Sequence, residues 1–407
     1  MIKNTRHILS GYKSSPLGII PKDWEVKRLG DFSTFFSGGT PKSGNPSYYN
    51  GNIPFIRSGE ITDNKTELFL SRDGLNNSSA KIVEKGDLLY ALYGANSGQC
   101  AISKIKGAIN QAILCIRPNA NKYYILSVLQ LNKDLYYNSY LQGGQGNLSA
   151  EIVSNYKIAL PPLSEQKRIC DLLSIWDTAI AKQTALIEKL TLRKRGLMQQ
   201  LLTGKKRLKG FEGEWKEVRL GDVASINRGG SPRPIENYIT KGEGYNWIKI
   251  GDVGQDAKYI TCTEEKIIKE GLSKTRYVKS GDFILSNSMS FGRPYILKID
   301  GCIHDGWLVI QEYAQTFNID FLYYILGYDT TLAQYKSMAA GSGVLNLNKE
   351  IVKDVQLRIP SIEEQIAIAS ILVNADKEIE TQKQKLSNLQ EQKRGLMQVL
   401  LTGKRRI

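Results

Sequence analysis

Metal and nucleophile chemistry have little to work with in this chain. Its 407 residues hold two histidines, His7 and His304, and five scattered cysteines, Cys100, Cys115, Cys170, Cys262 and Cys302, none in CxxC spacing. A Cys/His zinc site and a disulfide framework have no pattern to rest on. Phosphate cradles of the GxGxxG and GxxxxGK[ST] kinds are missing as well, so nucleotide-driven work has no site. What remains is recognition chemistry carried by glycine-rich, cation-bearing turns. Ser37-Gly-Gly-Thr-Pro-Lys42 and Arg228-Gly-Gly-Ser-Pro-Arg233 combine backbone that approaches a phosphate closely with cations, Lys42, Arg228 and Arg233, suited to phosphate or to a bidentate guanine contact. The bland alternative is a tight turn with solvated charges.

Further candidates follow apparent strands, where polar loops usually do the reading. Arg57 and Ser58, with Gly59 and Glu60, occupy a place matched by Lys249 ahead of Gly251 and Asp252. The loop from Tyr93 through Asn96 to Gly98 aligns loosely with one running from Asn287 and Ser288 to Arg293. Gln142 and Gln145, whose amides suit adenine, lie in a glycine-rich stretch whose counterpart contains Ser342. Tyr48 and Tyr49 offer stacking or backbone contacts, although a tyrosine pair is more often half-buried packing. His304 and Asp305 fall where Asn110 and Gln111 stand, and read as residues that stabilise the fold.

These matches are parts of one duplication. Residues 161–207 and 360–406 align without a gap, with 21 of 47 positions identical, including Glu165/Glu364, Gln166/Gln365, Asp177/Asp376 and the block KRGLMQ…LLTGK. Weaker similarity precedes each copy: Trp24 through Asp31 against Trp215 through Asp222, then the two Gly-Gly turns. The order is variable part, tail, variable part, tail, with boundaries at 1–160, 161–207, 208–359 and 360–407.

Each tail predicts one long helix. Apolar residues recur at alternating steps of three and four: Leu173, Trp176, Ile180, Gln183, Ile187, Leu190, Lys194, Leu197 and Leu201, then Leu372, Ala375, Ile379, Gln382, Leu386, Leu389, Lys393, Leu396 and Leu400. Such a narrow stripe is a coiled-coil seam, and the polar Gln and Lys members set its register. Ser361 and Glu364 predict a capping box, and Gly204 and Gly403 act as helix stops. Each seam needs a partner, so the two tails are expected to pair, antiparallel because a whole globular part separates them. The variable parts are rich in Gly, Asn, Ser, Tyr and β-branched residues. Strands are expected over 52–57, 87–93, 111–117, 245–250, 281–286 and 306–311, and late helices over 122–140 and 320–338. The fold class is α+β: two globular domains separated by two long helices that form an antiparallel coiled coil, with a pseudo-twofold internal repeat.

Net charge is +15, which suits a polyanionic partner. The excess is uneven: +7 over 1–160, +6 over 161–207, none over 208–359 and +2 over 360–407. The basic tail ends, Arg193 to Arg195, Lys205 to Arg207 and Lys404 to Arg406, fit phosphate contacts or helix C-terminal charge equally well. No apolar run reaches the roughly 18–20 residues of a membrane span, and a cytoplasmic chain without a membrane partner is expected.

Two variable domains, each followed by a matching helix that opens PLxEQ-like and closes KRGLMQxLLTGK, resemble the specificity (S) subunit of type I restriction-modification systems over essentially the whole chain. The resemblance implies two target-recognition domains, each reading half of a bipartite double-stranded DNA site, and helices that set the gap and dock two methyltransferase (M) subunits. Restriction/translocase (R) subunits complete such complexes, and catalysis and its cofactors belong to the partners, so no cofactor is expected here. Asn45-Pro-Ser-Tyr48 looks superficially like the NPPY motif of adenine methyltransferases but lacks the second proline and any FxGxG loop upstream. A single-chain methyltransferase or nuclease is therefore disfavoured. The nearer alternative is the specificity subunit of a type IIB-like bipartite system; a plain coiled-coil scaffold is the third.

Overall fold

The computed structural model describes residues 10–140, 147–254, 257–287, 291–340 and 346–407. It resolves into two compact units, one formed by 1–184 with 384–407 and the other by 185–383. The first unit contains β1 (Ser33–Ser37), β2 (Ile53–Ile56), β3 (Leu88–Ala91), β4 (Gly107–Ile109), β5 (Ile113–Pro118) and α1 (Lys122–Leu131), followed by the long helix α2 (Leu163–Leu201). The second repeats that series as β6 (Ser225–Arg228), β7 (Tyr245–Ile248), β8 (Phe283–Ser286), β9 (Gly301–Ile303), β10 (Trp307–Gln311) and α3 (Ile319–Leu326), followed by α4 (Ile362–Leu400).

Two small sheets face the core of each unit. In the first unit one sheet has β2 and β4 at its centre and the other β1, β5 and β3. In the second, β7 and β9 are adjacent in one sheet, and β6, β10 and β8 in the other. The central pairs are parallel while the strands flanking them in the same sheets are antiparallel, with Ile56 opposite Ile109 and Ile248 opposite Ile303. Parallel neighbours end on the same edge, so the loops that follow them emerge side by side. The expected strands form with ends shifted by one or two residues. The two late helices each break. One stops at Asn132, whose side-chain amide donates to the Val128 carbonyl. The other stops at Gly327, where a Cβ would lie 3.3 Å from Pro294.

The seam positions are the buried or half-buried stripe on both long helices, and most positions between them are exposed. The pairing is antiparallel within each unit. In the first, Lys393 Nζ reaches Asp177 at 2.5 Å and Arg406 reaches Glu165 at 2.6 Å. In the second, Lys194 reaches Asp376 at 2.5 Å and Arg207 reaches Glu364 at 2.7 Å. The seam lysines therefore set register through an aspartate on the facing helix, although pairs this exposed contribute only about 0.2–1 kcal/mol each.

The repeated motifs meet in one cluster per unit. Glu165 and Glu364 are each 1% exposed. Arg406 donates to both oxygens of Glu165 and to Asp23, and Trp24 Nε1 donates to Glu165 Oε2 at 3.2 Å. Arg207 forks onto Glu364 and donates to the Gly213 carbonyl. The expected capping box is thus half made: Ser361 Oγ accepts from the Glu364 amide at 3.4 Å, but the Glu364 carboxylate serves Arg207 instead. Gln166 and Gln365 tie helix to domain, each accepting from the N-cap amide of α1 or α3, Asn121 or Asn318, and donating to a proline carbonyl. Gly403, at φ +70°, packs where a Cβ would be 2.4 Å from Pro21, beside Trp24. Arg207 and Arg406 are therefore internal fasteners. Arg193 and Arg195 pair with Glu378 and Asp329.

Removing Arg406 strands a buried carboxylate, and an unpaired buried charge costs about 3–5 kcal/mol. Arg406→Gln should therefore accelerate hydrogen exchange across the first unit and leave the second unchanged. Adding Glu165→Gln should recover part of the loss. Equal loosening of both units in the single variant would contradict this account.

Candidate nucleic-acid interface

Five segments converge at the shared edge of the parallel pair, in the same way in both units. The Gly-Gly turn comes first: the Gly39 amide donates to the Ile109 carbonyl at 3.2 Å, and the Gly230 amide to the Ile303 carbonyl at 3.1 Å. The short helical turns after β2 and β7, Ser58–Glu60 and Ile250–Asp252, come second. The residues after β4 and β9, Asn110 to Ala112 and His304 to Gly306, come third. The loops after β3 and β8 are joined to these by Leu92 N–H to Ala112 O at 2.8 Å and Asn287 N–H to Gly306 O at 3.1 Å. The stretch ahead of the long helices closes the edge, with Leu148 donating to the Leu92 carbonyl and Leu347 to the Asn287 carbonyl.

Side chains repeat the pattern with different chemistry. Thr40 Oγ1 donates to Gln111 Oε1 at 2.5 Å, and Ser231 Oγ donates to Asp305 Oδ1 at 2.8 Å. Asn110 Oδ1 accepts from the Ala112 amide at 3.2 Å, and His304 Nδ1 from the Gly306 amide at 2.6 Å. Arg57 caps its own turn, bonding Glu60 and then Glu67 at 2.5 Å. Lys249 does likewise, its amide donating to Asp252 and its ammonium to Glu265 at 2.9 Å. Burial alone would raise the Glu60 carboxyl, but bonds from the Arg57 guanidinium, two backbone amides and Thr66 outweigh it and hold it at about 2. Burial of Asp305 is likewise outweighed by the Ser231 hydroxyl and nearby positive charge, which lower it.

The expected site residues divide accordingly. In the second unit Arg228, Lys249 and Asn287 line one cleft of about 420 Å³ with His304, Asp305 and Asn346. Arg228 Nε donates to the Asp305 carbonyl, and Arg233 approaches the Asp305 carboxylate at 3.6 Å. Asn287 is 2% exposed and spends its amide on the Asp305 carbonyl, so it supports the edge from behind. Arg293 is not brought to this cleft: it lies over the Tyr295 ring and beside Lys258, Tyr323 and Tyr324. In the first unit the turn that holds Ser58 approaches Asn96 at Gly59, where an added Cβ would lie 3.5 Å from Asn96 Nδ2. Tyr93 shares Gln111 with Thr40. Lys42 is exposed on the Gly-Gly turn. Tyr48 is half-buried and lends its carbonyl to the Ser71 amide, while Tyr49 fastens the turn through Pro41. Gln142, Gln145, Ser288 and Ser342 lie outside the described residues.

Two readings change. The paired glycines approach their own chain rather than a ligand: a Cβ on Gly38 would be 1.7 Å from the Ile109 carbonyl, and one on Gly229 would be 2.1 Å from the His304 carbonyl. Arg57 and Lys249 are committed to internal carboxylates. Thr40, Ser231 and Gln111 were not singled out as site residues in the sequence, although Thr40 and Ser231 occupy one repeat position and Gln111 and Asp305 another. No group of His, Cys, Asp and Glu among the described residues could hold a metal, and no described helix is long and apolar enough to cross a membrane.

The same edge, with the same backbone bonds and unlike side chains, is thus built twice along the chain. The type I restriction modification DNA specificity domain matches residues 21–192 and 212–391, and the chain belongs to that family. It is a DNA-specificity component, not a catalytic one. The type I restriction enzyme MjaVIII specificity subunit of Methanocaldococcus jannaschii is 26% identical over 414 residues, spanning 95% of this chain and 94% of the relative. The EcoR124I/EcoR124II specificity subunit of Escherichia coli is 23% identical over 178 residues, 41% of this chain and 44% of the relative. Among solved structures, a chain from a study of type I R-M complex assembly superposes with TM-score 0.61 at 19% identity, covering 95% of this chain and 99% of that one. The type I S subunit from M. genitalium gives 0.56 at 14%, covering 93% and 96%.

Gly229→Ala should cost the second unit about 1–3 kcal/mol, the usual range for overpacking. Gly251→Ala, where nothing lies within 4 Å of an added Cβ, should be nearly silent. Urea unfolding of the two variants followed by hydrogen exchange tests the contrast.

Proposed function

We propose that this chain is the specificity subunit that directs a type I restriction-modification complex to a bipartite, asymmetric double-stranded DNA site, each unit reading one half. The observation that carries this is the duplicated edge with unlike side chains: the same hydrogen bonds recur while Lys42, Thr40, Asn110 and Gln111 are exchanged for Arg233, Ser231, His304 and Asp305. A constant frame with exchanged side chains suits two readers of different sequence, and the repeat suits half-sites in opposite orientation. On this reading 1–160 and 208–359 are the recognition domains, and 161–207 and 360–407 the helical spacers that set the gap. Those spacers dock two methyltransferase subunits, and restriction/translocase subunits join them. Lys42, Ser58, Tyr93, Asn96, Arg228 and Arg233 are the DNA-contacting candidates, with Tyr48, Arg57, Lys249, Asn287 and Arg293 in supporting places.

Methylome sequencing of cells that express the chain with its methyltransferase partner should show one bipartite motif. Replacing 1–160 by another recognition domain should change one half of it and leave the other and the gap intact. A change in both halves would overturn the modular assignment. Phosphate and structural cations also separate by experiment. Lys42→Ala should lower DNA affinity, reduce the log–log salt slope by about 1 and leave thermal stability alone. Arg57→Ala, which unpairs Glu60, should also lower the first unit's melting temperature by about 2–4 °C.

A further inference from the structure

The two reading edges differ at the residue that follows the central parallel pair, Asn110 in the first unit and His304 in the second. His304 is half-buried, with the rings of Trp247 and Trp307 centred 6.2 and 6.1 Å away. Two backbone N–H groups from different segments point at its ring: Gly306 at Nδ1, 2.6 Å, and Ile250 at Nε2, 3.2 Å. A neutral imidazole offers one in-plane lone pair, which the shorter contact assigns to Nδ1, and an imidazolium offers none. Nε2 then carries the ring proton of the neutral form and only packs against the Ile250 amide, whereas protonation at Nδ1 removes the acceptor of the Gly306 amide and sets N–H against N–H there. Ile250 opens the turn that Lys249 caps, and Gly306 closes the turn whose Asp305 carbonyl receives Arg228 and Asn287. Asn110 makes the corresponding bond to Ala112 through an amide oxygen that does not titrate.

We infer that His304 is the positioning residue of the second reading edge, holding the Lys249 turn against the Asp305 turn, so that recognition of the second half-site is proton-dependent while recognition of the first is not. This rests on the DNA reading proposed above. The charged groups around the ring are Asp305, with Oδ1 3.6 Å from Nδ1, Lys249 and Asp252 from the turn after β7, Arg228 and Arg233 from the Gly-Gly turn, and Glu265 behind Lys249. Burial lowers the basicity of the imidazole, and Asp305 offsets this in part. The neutral form is thus the one the folded edge favours, and the stabilisation is lost as pH falls below the ordinary histidine range.

The test uses the full chain and three duplexes: the bipartite site established by methylome sequencing, and the same duplex with one or the other half scrambled. Between about pH 8 and pH 5.5, across the histidine range, the preference for an intact second half-site should fall about tenfold or more. The preference for the first should stay within about twofold. His304→Asn, which imports the first unit's residue and an amide oxygen able to accept from Gly306, should hold the second-half preference constant within about twofold across this range. A pH-independent wild type, or an unchanged pH profile in His304→Asn, overturns the inference. Hydrogen exchange at the Gly306 amide gives a readout without DNA: protection should fall with pH in the wild type and not in His304→Asn, and pH-independent protection in the wild type also overturns it. Full second-half preference in an Arg228→Ala, Arg233→Ala, Lys249→Ala variant would instead defeat the DNA reading of the cleft, while the amide readout would still judge His304.

Discussion

A buried carboxylate at the start of one long helix, answered by an arginine just past the end of the other, is the constraint around which each unit is built. Glu165 with Arg406 and Glu364 with Arg207 bring together three stretches of chain that lie far apart in sequence: the tryptophan that opens the globular part, the EQ pair that opens the helix after it, and the segment beyond LLTGK that closes the other helix. Neither glutamate has solvent to fall back on, so the arginine must be present for the charge to be tolerated. The hydrophobic cores follow the same plan. Leu400 and Leu401 pack with Trp24, Ile169 and Leu173 in one unit, and Leu201 and Leu202 with Trp215, Ile368 and Leu372 in the other. Each globular domain is thus seated on two helix ends, one from its own repeat and one from the other.

The reading edge depends on this seating through a second layer. Gln166 and Gln365 cap the helices that follow the last strand of each sheet, and the parallel central pair delivers two loops to one place. Once the sheet is fixed, the Gly-Gly turn has a single way to pass, because its glycines lie against the carbonyls of Ile109 and His304. The frame is therefore rigid where the backbone meets itself and free to vary at Thr40, Asn110, Gln111 and their counterparts. Such a division lets one architecture carry different side chains without refolding.

Much of this was legible beforehand, and the exceptions share a cause. Periodicity located the coiled-coil seam residue by residue, because one-sided burial leaves a direct imprint on a helix. The strands were visible from β-branched runs. The glycines, Arg57, Lys249, Arg207 and Arg406 have partners within the chain, which a sequence does not show, because it reveals which residues recur but not what they touch. Recurrence in both halves goes with a shared structural need, and the unlike residues at matched positions, Asn110 against His304 and Gln111 against Asp305, are what a search for identity discards.

The position of Arg406 also bears on synthesis. It meets Glu165 across 241 residues of sequence, so at the usual 5–20 residues per second the fastener reaches its carboxylate roughly ten to fifty seconds after that carboxylate is made. During that interval Trp24 and the apolar side of α2 have no closing layer. Of the two domains, the one translated earlier is thereby the one whose core is completed last.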